Sequence, residues 1–316
     1  MPGTDLDMTI KYDYMEEKVH ISIPELDSEG LTYEEFFRVL FLLVKHEVAH
    51  LKNIYSSCSI DDIKAYPLQI AQRIVNTSCT LHNIIECEKD FCTAMAILRV
   101  MADTLSSLYL IYKEEGEKLY LRHYLYVMDG VNNRLKYLPN SVDYDNKISK
   151  SEYDALCKQI ESSKNNCYGT INHCVSEIHS LSQYHGQMYV IDKLIKSQNW
   201  KFKTFGYANR NNSYSWLEMY EKIKLQCKPT FFSYLSEFVH GLSISNIAVD
   251  IDNTTFEPIY GTNLALLGRL HDFIEDYYHD ELPLIKPKLI SGLLDNDMPQ
   301  KYVEKLMKKV SVNEKI

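Results

Sequence analysis

Residues 91–113 read FCTAMAILRVMADTLSSLYLIYK. Ala94, Ile97, Leu98, Met101, Leu105, Leu108 and Tyr109 recur at steps of three and four, the period of one helix face. A helix this apolar has to be covered by its neighbours, and the flanks supply them. Residues 33–56, 61–86 and 117–137 carry the same period, the second through Ile63, Ile70, Ile74, Leu81 and Ile85. Pro139 and the polar run PNSVDYDNKISKSEYD interrupt the series. Further helices are expected over 151–163, 169–196, 215–225, 229–245, 263–279 and 298–309, with SSKNNCYGT separating the first two. Two short stretches read as strands. Val19, Ile21 and Ile23 alternate with His20 and Ser22, and a second strand is expected near 247–251. Thr32 and Glu35 offer a capping box for the first helix. The expected fold class is mainly α, a multi-helix bundle with a short N-terminal β-strand. Residues 1–32 form an N-terminal extension and 33–316 one helical domain.

The bulk numbers exclude some functions. At 316 residues, 45% hydrophobic and 24% charged, the chain is ordinary for a globular protein. A net charge of −9 argues against broad nucleic-acid binding. Eight cysteines at 58, 79, 87, 92, 157, 167, 174 and 227 contain no CxxC pair, which fits free thiols in a reducing, cytoplasmic setting. The polar N-terminus carries no signal peptide, and apolar runs such as Leu40–Val44 are too short for a bilayer, so no membrane is expected. No phosphate loop, GxGxxG or GxSxG is present. The 24 tyrosines against 2 tryptophans suit half-buried helix faces.

The first helix contains HEVAH, His46 to His50. HExxH on a helix sets two imidazoles one turn apart on one face, where both reach a zinc ion, with the intervening Glu as general base. HEVAH, followed by Glu86 and Asp90 in E-x-x-x-D spacing, resembles the set of thermolysin-like zinc peptidases. The resemblance implies a Zn2+ cofactor held by His46, His50 and Glu86, with Glu47 as base, Asp90 supporting a ligand, and hydrolysis of a peptide substrate. The alternative reading is a polar seam of histidines hydrogen-bonded to neighbouring helices.

A longer likeness competes. The segment from LHNIIECEKD through LYLRHYLYV, with WLEMYEKIKLQCKPTFFSYLSEFVHG at 216–241, resembles an uncharacterised family of bacterial all-helical proteins. That family shows an R-x-x-x-E helix and a later L-S-x-F-V-H segment. The matching positions are Arg99, Asp103, Ser236 and His240, with Asp103 where the family usually has Glu. The architecture is similar to HEPN-like bundles, so the resemblance implies a defence or toxin-type effector with a protein partner. No R-x4-6-H ribonuclease motif accompanies it. Arg99 and Asp103, at i and i+4, can pair, and His240 is expected to be at least partly buried beside them. The cluster reads either as an anion or substrate site or as a satisfied network holding helices in register. In this frame CEKD is a turn and Glu86 ends a helix. His173, His179 and His185, six apart, share no helix face. His271 and His279 read as part of a solvated acidic face or a loose metal site, and the basic tail QKYVEKLMKKVSVNEKI as a surface or docking helix.

Overall fold

The computed structural model describes residues 8–11, 18–21, 33–113, 116–144, 147–205, 212–224, 229–241 and 255–295. The fold is mainly helical: α1 (Tyr33–Ile54), α2 (Ala65–Asn83), α3 (Phe91–Tyr112), α4 (Glu117–Tyr137), α5 (Lys150–Ser180), α6 (Met188–Ser197), α7 (Trp216–Lys222), α8 (Pro229–Val239), α9 (Glu257–Tyr277) and α10 (Leu282–Leu294). The strand expected over 19–23 falls partly outside the described residues and is not counted in the fold. The expected strand at 247–251, the Thr32 capping box and the helix at 298–309 lie outside them as well.

The helices fall into two compact units. One is built from Met1–Lys113 with Trp216–Ile316, the other from Glu114–Ser215. In the first, α3 is the central element and packs on α2, α7, α8 and α9. Leu98, Met101, Leu105 and Leu108 are fully buried, each contributing about 1.5–3 kcal/mol of transfer free energy. By length and composition α3 could cross a membrane, but 67% of its apolar window is buried inside the protein, as in a core helix. In front of it, α2 runs into a π-helical turn, Ile84–Glu88. Lys89 adopts φ 54° and ends that turn, and the Asp90 carboxylate caps α3 by accepting from the Thr93 amide at 3.0 Å. The expectation that CEKD is a turn matches this geometry. Around the core, α1 packs on α2, α9 and α10.

In the second unit α4 packs along α5. Helix α5 is continuous through SSKNNCYGT, where a break was expected. That segment lacks proline, Thr170 returns a hydrogen bond to the Asn166 carbonyl at 3.0 Å, and Cys167 and Cys174 are buried on one side. These contacts outweigh a low local helix propensity. The break comes later, in the 3-10 turn Ser182–Gln187. The first half of α5, up to Asn166, has no buried residue, nor does the last turn of α4.

Helix α10 was not among the expected helices. Pro283 sits in its first turn, where no amide donor is needed. Buried Leu282, Ile285, Leu289 and Leu293 carry the rest of the element past Pro287. Conversely, α9 begins at Glu257, six residues before its expected start, with Pro258 in its first turn.

Candidate functional site

Two polar clusters lie within the first unit. The first crosses α1 and α9. Glu47, only 3% exposed, faces α9, where its carboxylate is 3.1 Å from His271 Nδ1. On the far side of the ring, Nε2 is 3.5 Å from Glu275. Burial disfavours the charged imidazole, but the Glu47 charge and hydrogen bond and then Glu275 outweigh it, so the His271 pKa is pushed up to about 9. At neutral pH this is an imidazolium between two carboxyl groups. Burial raises Glu275 above the usual carboxylate range, opposed by the His271 charge. His271 is therefore not on a solvated face as expected, whereas His279 is exposed and lies 3.2 Å from Asp280.

The two histidines of HEVAH, one residue before Glu47 and three after it, do something different. The rings of His46 and His50 face one another across one helical turn, with centroids 6.0 Å apart and planes inclined by 25°. Helix α10 lies against His46: a Cβ on Gly292 would come within 2.9 Å of both Cε1 and Nδ1 of that ring. Burial, then His50 and Lys45, hold the His46 pKa below its ordinary value. Both ring nitrogens of His50 are buried and make no hydrogen bond, at a cost of about 1–3 kcal/mol for each unsatisfied group.

The structure brings together two of the three expected metal ligands. His46 and His50 share a face, but Glu86 is exposed in the π-helical turn, 3.9 Å from Lys89. Asp90 is occupied as a helix cap. Among the described residues, no three His, Cys, Asp or Glu side chains gather as a metal-binding group. Glu47, the expected base, is bonded to His271.

The second cluster joins α3, α7 and α8. The Arg99 Nε donates to Asp103 at 2.7 Å. Its Nη1 donates to the Phe232 carbonyl and to Ser236 Oγ. The Tyr220 hydroxyl also donates to Asp103, and the Arg99 guanidinium lies 5.1 Å above the Tyr220 ring. Burial raises the Tyr220 pKa, and the Asp103 hydrogen bond raises it further. Arg99 and Asp103 therefore pair as expected, and Ser236 joins them. His240 does not join them: it follows the end of α8, is exposed, and forms no side-chain hydrogen bond or ion pair among the described residues. Its expected burial fails because α8 ends at Val239, which leaves His240 beyond the packed turns.

Three participants escaped the sequence reading. Tyr220 and Phe232 complete the Arg99 cluster. Arg122, in the second unit, is fully buried, donates to the Phe202 carbonyl at 2.7 Å and stacks 4.9 Å from the Phe202 ring. Nothing in the local pattern of LYLRHYLYV separates Arg122 from a surface cation. No protein family, no curated protein and no solved structure matches the chain.

Proposed function

We propose that the chain is a helical-bundle effector that acts by binding a protein partner through an exposed apolar surface, in keeping with its resemblance to bacterial helical proteins of the defence and toxin type. The observation that carries this reading is the arm formed by the end of α4 and the start of α5. Large apolar side chains emerge there in close succession: Tyr137 at 89% exposure, then Tyr144, Ile148 and Leu156. Between Arg134 and Leu156 the cations Arg134, Lys136, Lys147 and Lys150 are balanced in number by Asp143, Asp145, Glu152 and Asp154, so the stretch is neutral in a chain of net charge −9. Arg99 serves this reading as a register clamp between helices, since its Nε and Nη1 donors are already engaged. The described cysteines are all free thiols, which suits a reducing, cytoplasmic setting.

The test is photocrosslinking from the full chain in cells, with a crosslinking residue at position 137. One discrete protein adduct is expected from 137, lost when Tyr144, Ile148 and Leu156 are changed to Ser. Position 284, exposed in the first unit, should give none. No adduct, or identical adducts from both positions, would overturn the reading.

A second reading is a zinc peptidase with His46, His50 and Glu86 as ligands and Glu47 as base. The shared face of the two imidazoles favours it. It requires Glu47 to leave His271 and Glu86 to leave Lys89. Hydrolysis of a peptide library that disappears in Glu47→Gln would support it; zinc binding without hydrolysis would sink it.

A further inference from the structure

We propose that the outer face of the α1–α10 pair docks on an anionic membrane surface, with Leu284 entering the headgroup layer and lysines meeting the lipid charges around it. The two helices run antiparallel. Tyr55, just past the end of α1, donates to Glu281, just before α10, while Gly292 near the end of α10 meets His46. Lys45, Ala49 and Lys52 follow one another along one side of α1, and Leu284, Lys288 and Leu294 are exposed on α10. The charge on this face is one-sided. Between residues 36 and 54 the only carboxylate is Glu47, which is buried, and between 282 and 294 there is none. Asp280 and Asp295 bracket α10 without entering it. Lys45, Lys52, Lys286 and Lys288 form no ion pair among the described residues. This stands in a chain of 43 acidic residues and net charge −9.

Among these cations Leu284 is 69% exposed, with Leu294 at 43% and Ile54, beside Tyr55, at 42%. Apolar tips set among lysines are what an interfacial helix presents to acidic lipid. Lysine stems lie along such tips while the ammonium groups reach the headgroups. Arg38 is the one guanidinium on the two helices, so the planar fork that grips a fixed carboxylate on a protein is sparse. The chain's own tail is a poor cover, because residues 299–316 carry Lys301, Lys305, Lys308, Lys309 and Lys315 against Glu304 and Glu314. With 13 residues α10 is too short to span a bilayer, so the pair lies on the surface. The inference depends on neither function proposed above, since it uses neither the arm nor HEVAH.

The experiment is sedimentation of the full, untagged chain with vesicles of phosphatidylcholine alone or mixed with phosphatidylserine. Binding is expected to the mixed vesicles only, weakening as salt rises. Leu284→Ser should lower the affinity about tenfold, and Lys52→Ala and Lys288→Ala about fivefold each. All three sites are at the surface, so each variant should keep the parent Tm. Lys158→Ala, an exposed cation of the second unit, should bind as the parent does. Absence of binding, equal binding to neutral vesicles, or equal binding by the parent and Leu284→Ser would overturn the proposal. So would loss of binding in a Lys305→Ala, Lys308→Ala, Lys309→Ala chain that Leu284→Ser leaves intact, which would make the tail the anchor. Capture of polyglutamate in place of vesicles, or a dimer on gel filtration that Leu284→Ser dissociates, would assign the face to an acidic protein or to a second copy and overturn it as well.

Discussion

The Glu47–His271 contact and the Arg99–Asp103 contact are both ion pairs inside the first unit, yet they are built differently. Arg99 and Asp103 lie one turn apart on α3, so the helix alone brings them together, and α7 and α8 then close over a pair that already exists. Glu47 and His271 are 224 positions apart and meet only when α1 docks on α9. The first is a local pair recruited to hold distant helices; the second exists only as a product of the tertiary fold. A buried charge whose partner is removed is strongly destabilising in either case. The two should differ in how they respond to pH and to conservative replacement.

The largest expected effect is at Arg99. Arg99→Ala leaves Asp103, the Phe232 carbonyl and Ser236 without their shared donor and should cost about 3–5 kcal/mol in urea unfolding. Arg99→Lys should recover only part, because one ammonium cannot reproduce the planar fork. An undiminished unfolding midpoint in Arg99→Ala would mean that the cluster holds nothing.

Glu47→Gln should cost about 2 kcal/mol at neutral pH, and its signature is pH dependence. The folded pKa of His271, about 9, lies above its ordinary 6.5. The stabilisation is therefore fully present below the lower value and is lost as pH rises through the upper one. Unfolding of the parent should weaken across this window, whereas Glu47→Gln should show a flatter profile. The Arg99 cluster should contribute no such slope, because a guanidinium keeps its proton. An identical slope in the parent and Glu47→Gln would break the contrast.

Gly292→Ala should cost about 1–3 kcal/mol, since the new methyl meets the His46 ring at 2.9 Å. Combining it with His46→Ala should relieve the clash, and a double-mutant cycle would measure that coupling. The smallest effect is expected at His240. His240→Ala should change stability by less than about 0.5 kcal/mol, because the side chain is exposed and unbonded. A larger loss would place His240 in the Arg99 cluster after all.

What the sequence disclosed follows from the same local–distant divide. Helices α1, α3 and α4 were legible within a few residues because their apolar periods are long and unbroken. The pairing of Arg99 with Asp103 was legible because one helix fixes it. Tyr220, 117 positions from Asp103, carried no local mark of its role. Helix α10 was not expected; proline disfavours a helix interior, and burial of Leu289 and Leu293 carries this helix past Pro287. HEVAH was legible as a motif, but which way Glu47 points depends on α9, and nothing near position 47 encodes that.

The order of the two units along the chain has a consequence for synthesis. Helix α3 leaves the ribosome before all of Glu114–Ser215, and its partners α7, α8 and α9 come after that stretch. Roughly a hundred residues, or about 5–20 s at ordinary elongation rates, separate this apolar helix from α7, α8 and α9. During that interval α2 is its available shelter. The Arg99–Asp103 pair, formed within the helix, would then keep a charged spot on a face that otherwise invites aggregation until α8 arrives to accept it.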